Sequence, residues 1–317
     1  MEGGFSWETY PKPIVGLSPM EGYSDSAFRQ VCKKVNPSLI LITEFTSADG
    51  LHHSPKKLRE KLAFKPKEQP IIAQIFGNKP ETFVSAAKVC EDMGFSGIDI
   101  NMGCPSKKVV KSEHGVALRK NKTLAFKLIE TLAKSTNLPI SIKTRLGWSN
   151  AEDLIEFGQG AENAGAKMIC VHARTYLEPY NVPAQFETVF ELKKTLTIPV
   201  LGNGGILNYQ DGLNKLNSLD GFLIGQASFG NPWVFSTDQK LPSLSEKMSM
   251  MRTHALILQE SKGESIAMRE IRKHFSYYLK SLPHAKQFRS KLVQVHSMDE
   301  VNCILDEITL HCENANT

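Results

Sequence analysis

Short apolar runs rich in Ile, Val and Leu recur eight times before residue 230, at 13–20, 38–45, 70–77, 97–103, 139–147, 168–174, 198–205 and 221–228. Each run is continuously apolar rather than alternating, as expected for strands of a parallel sheet covered on both faces. The intervening segments carry helical spacing. Phe83, Ala87 and Cys90 share one face closed by Gly94, and Leu124, Leu128 and Leu132 follow Asn121, a residue suited to a helix N-cap. Eight strand–helix units fit an α/β fold of the (β/α)8 TIM-barrel type, whereas a doubly wound sheet more often stops at five or six strands.

After Trp233 the strand signals cease. A Ser- and Pro-containing stretch near 236–245 leads into helical periodicity that runs to about residue 312. The expected organisation is a catalytic barrel over 1–238 followed by a small helical domain over 239–317. At 317 residues and 41% hydrophobic composition, the chain can supply the core of such a barrel plus an appendage. The longest apolar runs, such as Leu39 to Ile42, are far too short to span a bilayer, and Met1 to Tyr10 lacks a basic segment followed by an apolar one. The six cysteines (Cys32, Cys90, Cys104, Cys170, Cys303 and Cys312) show neither CxxC pairing nor His partners at metal-ligand spacing. These features predict a cytoplasmic protein with no membrane segment and no metal. Cys32, Cys90 and Cys170 lie inside apolar patterns and read as core residues.

Net charge is only +5, but Arg269, Arg272, Lys273, Lys280, Lys286, Arg289 and Lys291 face a single acid, Glu270, in the stretch 269–291. Either this is a solvated helix face or it is a footprint for a polyanion.

Barrel active sites form at the C-terminal ends of the strands, so polar residues closing apolar runs are the informative ones. The first run ends in Ser18-Pro19-Met20-Glu21-Gly22 and the third carries Gln74. The fourth delivers Asn101 and Cys104, the fifth Lys143 and Arg145, and the sixth His172 and Arg174. The last two end in Gly202-Asn203-Gly204-Gly205 and Gly225-Gln226-Ala227-Ser228. Glycines after the seventh and eighth strands read either as tight turns or as the backbone of a phosphate site. Lys143 and His172 taken singly would be a core-edge lysine and a satisfied histidine; their placement on neighbouring strand ends favours a site. Cys104 sits between Gly103 and Pro105 in a sharp turn, which sets it apart from the buried cysteines.

Together these residues resemble the dihydrouridine synthases. The resemblance runs through Pro19-Met20-Glu21-Gly22-Tyr23-Ser24-Asp25, Gln74-Ile75-Phe76-Gly77, Asp99 to Pro105, Ile142-Lys143-Thr144-Arg145, Val171-His172-Ala173-Arg174-Thr175, Gly202-Asn203-Gly204-Gly205-Ile206, Asn231-Pro232-Trp233 and Arg269-Glu270-Ile271-Arg272-Lys273-His274. It covers residues 13 to about 310. It implies FMN across the barrel mouth, reduced by NADPH or NADH, and reduction of the C5–C6 double bond of specific uridines in tRNA to 5,6-dihydrouridine, with Cys104 as the proton donor. By the same resemblance, Pro19, Met20, Glu21, Gln74, Lys143, His172, Asn203, Gly204, Gly205, Gly225 and Gln226 surround FMN. Asn101 and Arg174 face the substrate by the same resemblance; Arg272 and Lys273, from the basic run, are expected on the phosphates of the tRNA substrate, and a monomer is the expected state. Saturating a conjugated double bond needs a hydride on one carbon and a proton on the other, and a flavin supplies only the first. A target base must leave the RNA stack to reach a buried flavin. Tyr277 or Tyr278 is a candidate to stack on an unpaired base, packing being the alternative.

The chain departs from the family pattern near both ligands. Gly205 stands where aspartate is common, Gln226 where arginine is common beside the flavin phosphate, and Tyr176 where a basic residue often follows. The loop Lys111-Ser112-Glu113-His114-Gly115-Val116 replaces a small, glycine-rich run. With neutral Gln226, the phosphate is either held less tightly or held by backbone and another cation. Two further readings stay open: a catalytically impaired RNA-binding homologue, and a flavin reductase of another RNA or of a small pyrimidine.

Overall fold

Residues 4–280 and 285–314 are described by the computed structural model of the chain; 1–3 and 315–317, the outer ends of the two expected domains, lie outside them. Eight parallel strands close into a barrel: β1 (Ile14–Leu17), β2 (Ile40–Ile42), β4 (Ile71–Phe76), β5 (Gly97–Met102), β6 (Ile140–Arg145), β7 (Met168–His172), β8 (Val200–Asn203) and β9 (Gly221–Ile224). β1 pairs with β9, and β2 pairs with both β1 and β4, which completes the ring. A two-residue strand, β3 (Thr46–Ser47), lies beside the end of β4.

The strands are shorter than the apolar runs, and the residues lost are mainly C-terminal: β1 stops at Leu17, β7 at His172, β9 at Ile224. Those trailing residues leave the ladder to form loops at the barrel mouth. The run 38–45 is interrupted for a visible reason. Thr43 Oγ1 accepts the Gln74 N–H at 2.9 Å, so a side chain takes the place of a ladder carbonyl and pairing resumes only at β3.

Alternate residues of a strand face one side, and here the inward series changes character from bottom to top. Ile14, Ile40, Ile42, Ile72, Met168, Cys170, Leu201 and Leu223 form one buried cluster with Trp7. Two residues further along the same series come Gln74, Asp99 and Asn101, Ser141 with Lys143 and Arg145, His172 and Asn203. The barrel is thus apolar below and polar at its mouth. Its outer face packs against the helices through Phe83, Leu128, Leu132, Phe157 and Val189.

The helices Leu244–Lys262, Glu264–Tyr278, Ala285–Leu292 and Met298–Asn314 form a bundle around Met251, Leu258, Ile271, Phe275, Phe288 and Leu305. Ser243 opens the first of them with a capping box, its hydroxyl accepting from Glu246 N while Glu246 accepts from Ser243 N. The bundle docks on the barrel helix Ser26–Val35. Ala27 joins the bundle core, the His254 and His274 rings lie 5.6 and 4.8 Å from the Phe28 ring, and Lys262 pairs with Asp25 at 3.0 Å. Gly230, at φ +55°, brings the loop after β9 against the helix Glu264–Tyr278. A methyl group there would sit 2.5 Å from Tyr278 N and 2.8 Å from His274 O, so the approach requires glycine.

Candidate active site at the barrel mouth

A cavity of about 720 Å³, within the range of small-molecule sites, opens where the strands end. Its lining includes Pro19, Met20, Glu21, Asn101, Cys104, Lys143, His172, Arg174, Asn203, Gly204, Gly205, Gly225 and Gln226. Gln74 lies directly beneath, fully buried. Arg272 and Lys273 do not line it. Arg145, expected from the sequence at the same rim, also lines it, as do Tyr23, Tyr180, Phe229 and Tyr277, aromatics to which the sequence assigned no place at this cavity. Arg145 was legible, since it continues the inward alternation of Ser141 and Lys143; the aromatics come from loops and from the bundle, where no periodicity points inward.

Cys104 is held by a chain of amides that starts in the barrel interior. The buried Asp99 accepts from Ser141 Oγ and from Gln74 Nε2, both at 2.8 Å. With its amide nitrogen committed there, Gln74 presents Oε1 to Asn101 Nδ2 at 2.9 Å. Asn101 then has Oδ1 left to accept the N–H groups of Gly103 and Cys104, at 3.3 and 2.9 Å. One carboxylate therefore orients every amide above it. Burial raises Asp99 to about 6 even though Gln74, Ser141 and Lys143 oppose it.

The Cys104 thiol is half-buried, and burial raises its pKa above the ordinary cysteine value against the pull of the Ser106 amide and of Arg145 and Lys143. The thiol is protonated near neutral pH. Arg145 reaches the same turn through Nε to Gly103 O at 3.0 Å and ties it to the next loop through Nη1 to Thr175 O at 2.8 Å and Nη2 to Tyr180 Oη at 3.3 Å. Lys143 donates to Asn203 Oδ1 at 2.9 Å, and burial, reinforced by Arg145, lowers its pKa. His172 is pushed down to about 2 by burial and by the cations Lys143, Arg145 and Arg174. A neutral ring with Nε2 facing Arg174 Nη1 at 3.0 Å accepts at that nitrogen and carries its proton on Nδ1.

On the bundle side, Tyr23 and Phe229 stack at 3.9 Å, with Tyr277 against Phe229 at 5.3 Å. Tyr277 is the bundle's contribution to the cavity wall; Tyr278 is buried, its hydroxyl 3.3 Å from His254 Nδ1. The basic run is not one free face. Arg272 donates to Val295 O at 2.6 Å, Lys291 pairs with Glu307 at 2.6 Å, and Lys273 and Lys280 lie over the Tyr23 and Tyr277 rings.

The dihydrouridine synthase family model matches residues 16–315. The chain belongs to the dihydrouridine synthase family. Among curated relatives, it is 33% identical to "Probable tRNA-dihydrouridine synthase 2" of Bacillus subtilis, over 95% of both chains. It is 33% identical to "Probable tRNA-dihydrouridine synthase 1" of Synechocystis sp., over 92% of this chain and 84% of that one. The match to "tRNA-dihydrouridine synthase B" of Pseudomonas aeruginosa is 31%, over 92% and 91%. The matched span takes in both the barrel and the helical bundle, so the family relationship extends to Tyr277 as well as to the strand ends.

Proposed function

We propose that this chain reduces uridines of tRNA to 5,6-dihydrouridine with a bound FMN that NADPH or NADH recharges, and that Cys104 gives the proton to C5. The observation that carries the reading is a protonated, half-buried thiol on the wall of the cavity that also holds Lys143, His172 and Asn203. The residues suit a flavin. At Gly204, φ +107°, a methyl group would lie 3.0 Å from the His172 ring, so the backbone of this turn can approach that ring only as glycine, and the cation Lys143 lines the same cavity. Pro19, Met20, Glu21, Lys143, His172, Asn203, Gly204, Gly205, Gly225 and Gln226 would hold the cofactor from the cavity, with Gln74 supporting them from below. Bound there, a reduced flavin would supply the hydride for C6.

The remaining work falls to side chains of this chain. Asn101 fixes the backbone of the Cys104 turn, which sets where the Cys104 side chain enters the cavity. After proton transfer the thiolate forms near Arg145 and Lys143, whose charge stabilises it until solvent returns a proton. Lys143 is suited to negative charge developing on the cofactor. The cations of the bundle would contact RNA phosphates. The reaction is placed in the cytoplasm, where the six free cysteines stay reduced.

The test combines a visible spectrum of the purified protein with NADPH oxidation in the presence and absence of unmodified tRNA, and mass spectrometry of the product. Cys104→Ala should retain flavin binding and flavin reduction while dihydrouridine formation drops by a factor of about a hundred or more. Full activity in that variant would overturn the assignment of the proton donor. A colourless protein that cannot be reconstituted but still binds tRNA would point instead to a non-catalytic homologue.

A further inference from the structure

Three cations line the cavity, Lys143, Arg145 and Arg174, and they differ in what they have left to give. Lys143 is engaged by Asn203, and Arg145 uses Nε, Nη1 and Nη2 on three protein acceptors. Arg174 donates through Nε to Val182 O at 2.6 Å and through Nη1 to His172 Nε2 at 3.0 Å; its Nη2 has no protein partner among the described residues. The side chain is only 5% exposed. Glu178, the acid nearest in effect, already accepts from Thr175 N and Gln185 Nε2. The unpartnered Nη2 stays accessible from the cavity that Arg174 lines, so an anion bound there can take it as a donor.

The open donor lies over the glycine turn after β8. A methyl group added at Gly205 would lie 3.6 Å from Arg174 Nη2, and one at Gly204 would lie 3.4 Å from Nη1. Both glycines have positive φ and carry no side chain that could answer the charge. Across the cavity, the turn after β9 offers neutral Gln226. Lys215, the cation behind Gly205, is occupied by Gly205 O and Asp211. The turns after the last two strands are where barrels of this class hold phosphates, and a dianion matches a buried guanidinium better than a neutral uracil does.

We infer that Arg174 binds the terminal phosphate of the flavin nucleotide, supplying from the end of β7 the positive charge that Gln226 does not. The inference rests on the flavin reading above. It also replaces the sequence expectation that Arg174 faces the substrate.

The test is fluorescence titration of flavin-free protein with FMN and with riboflavin, which differ only in the phosphate. The wild type should prefer FMN. Arg174→Gln should weaken FMN by about tenfold to a hundredfold while leaving riboflavin unchanged. Adding Gln226→Arg to that variant should restore the preference. If Arg174→Gln weakened both flavins equally, or left the FMN preference intact, the phosphate role would be wrong. If the wild type bound neither flavin, the flavin reading would fall with it.

Discussion

Cys104 is useful as an acid only while its proton stays on, and its neighbours pull both ways. Arg145 and Lys143 favour the thiolate, and burial overrides them. What remains is orientation, which runs from Asp99 through Gln74 to Asn101. Asp99→Leu would remove the acceptor of Gln74 Nε2, so that neither Gln74 nor Asn101 is held in the orientation that gives the Cys104 N–H its acceptor. We expect kcat for uridine reduction to fall about tenfold to a hundredfold, with flavin affinity nearly kept, and Asn101→Ala to behave alike. Stopped-flow kinetics beside flavin titration would separate the two effects; equal losses in both would refute the positioning role. None of this amide relay was legible in the sequence. Asp99 stands there only at the head of the Asp99 to Pro105 resemblance, and its reach to Gln74 and Ser141 depends on the barrel closing.

At the level of elements, the apolar runs identified the eight barrel strands, because each must be buried on both faces. Their ends were misjudged where a polar tail continued the run. Those tails carry the site, so the same residues that blurred the strand boundaries marked the cavity. The junction of bundle and barrel was hidden, since Phe28, His254 and His274 meet only in the folded chain. Burial lowers His254 to about 4, with Lys273 and Lys262 adding to the effect against Asp25. The folded protein thus resists a proton that the unfolded chain accepts near 6.5. Stability is fully present above that pH and lost as pH drops from 6.5 towards 4, by roughly 3 kcal/mol for this residue. Asp25 lies lower still. Burial would raise it, but Lys262 and His254 bring it to about 2, so its contribution is lost only between about 4 and 2. Thermal melts from pH 7 to 4 should show the first window, and His254→Phe should flatten it.

For the whole molecule, recognition of RNA is expected from the bundle, and its basic residues divide by what they already touch. Arg272 holds the Val295 carbonyl and Lys291 holds Glu307, whereas Lys286 and Arg269 are exposed. Replacing Arg269 and Lys286 with alanine should weaken tRNA binding and reduce the salt dependence by roughly 0.7–0.9 in logarithmic slope for each phosphate that the variant no longer neutralises. Arg272→Ala should first lower the melting temperature. Titrations at several salt concentrations, with melts alongside, would distinguish these classes. The run of charge was visible in the sequence; its division was not, because the partners Val295 and Glu307 come from later in the chain.

Gly230 binds these scales together. Through its close approach to Tyr278 N and His274 O, the loop after β9 packs directly against the helix that presents Tyr277. A side chain at Gly230 would push that loop and that helix apart and so alter the cavity wall that Tyr277 forms.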